Sequence, residues 1–316
     1  MALGARATRD VKHMLAIETV SLTRRFRRVV AVDDLDLQVP AGATYALMGP
    51  NGAGKTTLIR LLMGLLRPSS GRAQILGYDA SRLRGKRLES VGYVSEAQVQ
   101  PDWLTVGAFL SYWRPFYPTW DAALERRLVS RFGLPEKQEL RNLSRGMRMK
   151  AVLTSALSYH PKLIVLDEPL SGLDPMVRDD LLHALMDVDG EQTVLISSHD
   201  LAEVDSFASH VGYMDAGRLR LSAPVSEIHL RFRNVQVDCT APLTRLQTPP
   251  PEWLQLVVEG RSAKWVETGW DPERSVERVR ERFGIQRITS SAMTLREVFL
   301  TMARADCTAD GSVKSQ

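Results

Sequence analysis

Only two cysteines occur in the 316 residues, Cys239 and Cys307, and they stand far apart. Neither has a companion at metal-ligand spacing, so there is no metal signature. A disulfide framework is not expected, which fits a reducing cytosol. No apolar run approaches 18 residues, so no transmembrane helix is expected. The opening MALGARATRDVKHMLAIETV carries charges but no apolar stretch of signal-peptide length. A large excess of one charge is missing too. The 41 basic and 37 acidic residues leave +4, which by itself does not argue for nucleic acid, and no nucleic-acid partner is expected. The 44% hydrophobic and 25% charged fractions are those of an ordinary globular protein. The length suggests one large domain plus a smaller one, or two.

What is present is a phosphate-binding loop. Residues 47–57, LMGPNGAGKTT, fit G-x-x-x-x-G-K-[ST] at each fixed position: Gly49, Gly54, Lys55 and Thr56. The candidate nucleotide cradle is Gly49, Pro50, Asn51, Gly52, Ala53, Gly54, Lys55, Thr56 and Thr57. Such a loop wraps a phosphate chain with backbone N–H groups, and glycines let the backbone come close. Lys55 can reach the β- and γ-phosphates, and the Thr56 hydroxyl can sit on Mg²⁺. The helix that follows would point its positive end at the same phosphates.

The regular pattern starts at Met14, and residues 1–13 are expected to be a disordered extension. Residues 15–20 read as a strand, 35–39 alternate as a half-buried strand, and 44–48 feed the loop. The helix after Lys55 is expected to bury Leu58, Leu61, Leu62 and Leu65, stopping at 67–71. Short strands follow at 73–76 and 91–94. Seven of the 21 aromatics then fall within 103–120: Trp103, Phe109, Tyr112, Trp113, Phe116, Tyr117 and Trp120. With helical patterns over 121–132 and 144–158, about 97–158 reads as a helical insert. Its aromatics either form the insert's own core or an exposed patch that receives a partner helix. Residues 163–166 and 193–197 are apolar strands around a helix at 175–188, which points to a doubly wound α/β core. After 222 the pattern changes to short strands at 235–239, 254–258 and 263–266, a charged helix at 272–283, then 285–288 and 295–302. Residues 223–316 therefore read as a small α+β appendage with a disordered tail.

Asp167 and Glu168 end the strand at Leu166, where ligands bind in open α/β sheets. Asp167 can hold Mg²⁺ opposite Thr56, and Glu168 is placed to take a proton from an attacking water. His199 ends the second apolar strand, and a neutral imidazole there could donate to a γ-phosphate oxygen.

Over about 15–220 these residues resemble the ATP-binding subunits of ABC transporters. The loop matches Walker A, 163–169 matches Walker B, 171–174 (SGLD) the D-loop, and His199 the switch histidine. The resemblance implies a P-loop NTPase core with an antiparallel β subdomain and helical insert over 14–222, plus the small C-terminal α+β domain. It implies ATP and Mg²⁺ as ligands, Lys55, Glu168 and His199 as catalytic groups, and Phe26 as the ring that stacks on adenine. The signature position reads LSRGM at 143–147, where the family usually has LSGGQ. Ser144 and Gly146 would touch the γ-phosphate of a second subunit's ATP, and Asp174 of the D-loop is expected among the nucleotide-binding residues. Two subunits, by default identical, would close on two ATP molecules and drive a separate transmembrane permease from the cytoplasmic face of the membrane. The permease would dock on the insert and the loop near Glu96. Glu96 stands where the family commonly has a Q-loop glutamine that serves Mg²⁺ and the nucleotide, and Gln98 is close by. Glu96, the altered signature and the late LREVFL at 295–300 are similar to single-domain exporter-type ATPases. Two other readings are a soluble ABC-type ATPase acting on ribosomes or DNA, and a nucleotide-sensing regulatory subunit. One ATP-binding half without sustained heptads speaks against the first. Intact Glu168 and His199 speak against the second.

Overall fold

A computed structural model of the chain describes residues 14–95, 100–187, 192–200, 204–242, 249–282 and 284–309. The expected extension at 1–13 and the positions Glu96 and Gln98 lie outside them.

The chain opens with a hairpin, β1 (Leu15–Phe26) and β2 (Val29–Pro40), and then β3 (Thr44–Met48) runs into the phosphate loop. After α1 (Lys55–Leu62) come β4 (Ser70–Ile75), the two-residue β5 (Tyr78–Asp79) and β6 (Val91–Ser95). The insert supplies α2 (Val106–Trp113), α3 (Ala122–Arg131) and α4 (Arg145–Leu157). Each starts at a side chain that accepts a backbone N–H, as helix N-termini require: Thr105, Asp121 and Ser144. Then follow β7 (Leu163–Asp167), α5 (Pro175–Met186), β8 (Thr193–Ser198), α6 (Val204–Phe207), β9 (His210–Asp215) and β10 (Arg218–Pro224).

Six strands form the central sheet in the order β10-β9-β3-β8-β7-β6. All neighbours in it are parallel except the edge pair β9 and β10. Every residue of β7 and β8 is buried. Their unbroken apolar runs are what a strand covered on both faces requires. One face packs on α1 and the antiparallel sheet β2-β1-β4-β5, through Ile17, Leu35, Leu37, Leu58 and Leu61. The other packs on the insert and α5, through Phe109, Leu128, Leu153, Leu181 and Leu185. The loops after β3, β7 and β8 leave the same, C-terminal end of three adjacent parallel strands. That adjacency brings residues 49–56, 167–168 and 197–199 together.

Leu65 departs from expectation. It is 61% exposed, because α1 stops at Leu62 and the turn through Met63 and Gly64 carries Leu65 away from the buried face. The hydrophobic spacing continues beyond the regular helix, where Gly64 takes φ +67 and the Leu65 N–H closes the end by donating to the Arg60 carbonyl at 2.9 Å.

The C-terminal segment continues with α7 (Val225–Arg231), β11 (Arg233–Cys239), β12 (Trp253–Glu259), β13 (Ser262–Glu267), α8 (Pro272–Arg282), β14 (Ile285–Ala292) and α9 (Leu295–Ala309). Its strands form an antiparallel sheet, β12-β13-β11-β14, over a separate core of Val235, Val237, Cys239, Trp253, Trp265 and Val279. Trp253 and Trp265 stack there at 4.2 Å. Helices α7 and α9 behave differently. Ile228, Leu295, Val298 and Phe299 join the large core, and Phe299 stacks on Tyr213 of β9 at 5.0 Å. Packing therefore runs across the change of pattern at 222. Among the described residues, no helix is long and apolar enough to cross a membrane.

Candidate nucleotide-binding and catalytic site

The phosphate loop turns into α1 at Gly54, which caps the helix with φ +104. A Cβ there would lie 2.1 Å from the Ala31 carbonyl oxygen and 2.8 Å from Met214 Cε. Close packing as well as backbone conformation therefore demands glycine. The first turn of α1 carries no acid of its own, so no side chain of that turn competes with a phosphate for its free N–H groups.

Lys55 is buried and reaches back over the loop. Its Nζ donates to the carbonyls of Gly49 at 2.6 Å and Pro50 at 3.2 Å. It also pairs with Glu168 Oε1 at 3.2 Å. Glu168 Oε2 meets His199 Nδ1 at 2.8 Å. The three residues expected to carry the chemistry thus form one line. A neutral imidazole that donates through Nδ1 has only an acceptor at Nε2. Donation from Nε2 to a phosphate therefore requires the imidazolium or a ring released from Glu168. Glu168 sits at φ +51, a conformation uncommon for a residue with a side chain and of a kind that clusters at functional sites.

Asp167 lies beside this line, almost fully buried. Its Oδ1 accepts from Thr56 Oγ1 at 3.1 Å and from Ser197 Oγ at 3.0 Å. Burial pushes its carboxyl above the ordinary value, those two hydrogen bonds oppose the rise, and the Glu168 charge adds to it. A buried carboxylate with this balance is suited to a cation. A hydroxyl and a carboxylate are the hard oxygen donors Mg²⁺ prefers. Among the described residues, no group of three or more His, Cys, Asp or Glu could hold a metal ion. A cation here would complete its shell with water and phosphate oxygens, which is how Mg²⁺ is commonly bound.

Ser197 was not singled out by the sequence. It donates to Asp167 and accepts the Glu168 N–H at 2.9 Å, so one hydroxyl fixes both acids. The available signal was a hydroxyl pair closing an otherwise apolar strand.

The signature residues form a second group, on α4. Ser144 caps the helix and accepts the Met147 N–H at 3.2 Å. Gly146 lies against α5, where a Cβ would come within 2.9 Å of Val177 Cγ1. Asp174 caps α5 by accepting the Val177 N–H at 3.1 Å. Phe26 ends β1. Its ring is 40% exposed, with the Arg24 guanidinium carbon 4.5 Å from its centre.

The insert's aromatics divide between the two expectations. Phe109 is fully buried, whereas Trp103, Tyr112 and Phe116 are more than half exposed. Tyr117 stacks on Tyr159 at 3.7 Å. Trp113 and Tyr117 also line a groove of about 290 Å³ with Leu65, Leu83, Leu88 and Tyr93.

Residues 32–171 match the family model described as ABC transporter. The chain is 35% identical over 227 residues to the daunorubicin/doxorubicin resistance ATP-binding protein DrrA of Streptomyces peucetius, covering 67% of this chain and 66% of that protein. It is 32% identical over 222 residues to the bacitracin transport ATP-binding protein BcrA of Bacillus licheniformis, covering 69% and 72%. A solved ATP-binding subunit of an ABC transporter superposes with a TM-score of 0.62 at 26% identity, covering 68% of this chain and 92% of that one. This chain belongs to the family of ABC transporter ATP-binding proteins, and its fold is that of their P-loop ATPase domains. The match spans about two thirds of the length of DrrA.

Proposed function

We propose that this chain is the ATP-binding and ATP-hydrolysing subunit of a membrane ABC transporter that works as an exporter. The observation that carries the reading is the line Lys55–Glu168–His199, set beside Thr56 and Asp167 where β3, β7 and β8 end. The N–H groups of loop 49–57 and Lys55 hold the β- and γ-phosphates. Thr56 and Asp167 would hold Mg²⁺, with Glu96 expected from the sequence as a further ligand; the ion, when bound, would neutralise phosphate charge. Lys55 Nζ exchanges Glu168 Oε1 for phosphate oxygen. The freed carboxylate accepts the proton of the attacking water, and His199 orients the γ-phosphate. Positioning and charge neutralisation supply most of the rate.

Ser144 and Gly146, grouped on α4, serve the ATP of a second subunit, and a homodimer is the simplest such assembly. Phe26 stacks on adenine. The exposed aromatics and the groove beside them receive a cytoplasmic helix of a transmembrane permease, which holds the subunit at the inner face of the membrane. Residues 14–222 form the ATP-binding domain and 223–316 an appendage that docks on it through α7 and α9. The names of DrrA and BcrA, which speak of drug resistance and bacitracin transport, support the export direction. Turnover by Glu168→Gln tests the reading. Retained ATP binding with turnover lost agrees with it, and near-wild-type turnover removes Glu168 from the base role.

A further inference from the structure

One side chain touches both loops of the hydrolytic line from behind. Arg178 closes the first turn of α5, with its side chain 20% exposed. Its Nε donates to the Leu173 carbonyl at 2.8 Å, and its Nη1 donates to Asp200 Oδ2 at 3.1 Å. Each acceptor is joined to a catalytic residue by a short local turn. On one side the Ser171 N–H donates to the Glu168 carbonyl at 3.3 Å, and the Leu173 N–H to the Leu170 carbonyl at 3.3 Å. On the other the Asp200 N–H donates to Ser198 Oγ at 3.0 Å, closing a turn around His199. The two turns carry the two ends of the Glu168–His199 bond.

The base of this clamp is fixed. Helix α5 is pinned to α4 by Lys150 Nζ, which donates to Asp180 Oδ2 at 2.6 Å, and by the close approach of Gly146 to Val177. Arginine suits the task because its planar fork can serve two acceptors in different directions at once, which a single ammonium cannot do with the same geometry. The left-handed conformation of Glu168 also needs something to hold it, since such conformations persist only where the surroundings over-determine them.

We propose that Arg178 is a positioning residue for hydrolysis. It holds the loop of Glu168 and the loop of His199 in register, so that the base and the histidine meet the γ-phosphate together. This rests on the reading of Glu168 as the base. The pair with Asp200 is partly solvated, so its contribution to stability is small. Loss of register acts on rate instead, where misplacement by about 1 Å costs up to about a hundredfold.

Steady-state ATPase activity and binding of a fluorescent ATP analogue, on the full chain, test this. Arg178→Gln lowers kcat by about tenfold or more, with KM for ATP and analogue affinity held within about twofold. Arg178→Lys recovers part of the loss. In the Glu168→Gln background, Arg178→Gln adds no further loss. An unchanged kcat in Arg178→Gln overturns the proposal. So does a loss that appears equally in analogue affinity, or one that multiplies with Glu168→Gln. Should Arg178→Gln fail to fold, Arg178→Lys and Asp200→Asn each perturb one arm of the clamp: lowered kcat at constant KM in both agrees, and wild-type kcat in both overturns it. Failure of the base reading is separate. It shows as near-wild-type turnover in Glu168→Gln, and the clamp is then judged by the same non-additivity against His199→Ala.

Discussion

Two glycines of the phosphate loop offer a matched pair of perturbations. Gly52 has φ +83 and Gly54 has φ +104, so alanine is strained at both. That strain costs about 1–2 kcal/mol. A narrower unfolded ensemble offsets about 0.4–1 kcal/mol of it. Room separates the two sites. A Cβ at Gly52 meets nothing within 4 Å, whereas one at Gly54 falls 2.1 Å from the Ala31 carbonyl oxygen. That atom is backbone and cannot swing aside, so overpacking adds about 1–3 kcal/mol. Gly54→Ala is therefore expected to be the more destabilising by about 1–3 kcal/mol. Each kcal/mol corresponds to about 2–4 °C in a domain of this size. Thermal unfolding without nucleotide measures the difference and avoids any clash with phosphate. Equal shifts in Tm would refute the claim that close packing, and not conformation alone, requires glycine at 54.

Two further outcomes follow from burial. Asp167→Asn keeps an oxygen that can accept from Thr56 and Ser197 but removes the buried charge. Because the folded carboxyl titrates above its ordinary value, the charge lowers stability above that range. The cost is absent once both states are protonated. The variant should therefore unfold at a higher temperature than the parent at pH 7, with the gain shrinking towards pH 4, while Mg²⁺-dependent turnover is lost. A gain that grew on acidification would contradict the sign. Phe299→Ala should cost about 3–5 kcal/mol in urea unfolding, since the ring is 1% exposed and stacked on Tyr213. A cost below about 1 kcal/mol would mean that α9 is not an anchor on the large core.

The phosphate loop, the two acids and His199 were legible because each is a short local pattern beside an apolar strand. The strands β7 and β8 were legible because burial on both faces leaves a run with no polar break. Ser197 was not, since a hydroxyl at the end of such a run looks the same whether it fills space or holds Asp167. Arg178 was hidden for another reason. Its two acceptors lie 5 residues before it and 22 after it, and only the order of strands in the sheet makes them neighbours. The anchoring of α9 was equally invisible. LREVFL reads as an amphipathic helix, but nothing in it names Tyr213 as the ring that Phe299 meets. The exposure of Leu65 shows the converse limit: periodicity marks which residues would share a face, not where the helix stops.

Hydrolysis with Glu168 as the base is the central claim, and single-turnover ATP hydrolysis by wild type and Glu168→Gln measures it directly. Both proteins are loaded with ATP and Mg²⁺ at equal occupancy, with binding checked separately. The account predicts equal ATP binding and a rate lower by about 10²–10⁴-fold in the variant. Equal binding with rates within a factor of about two would contradict it.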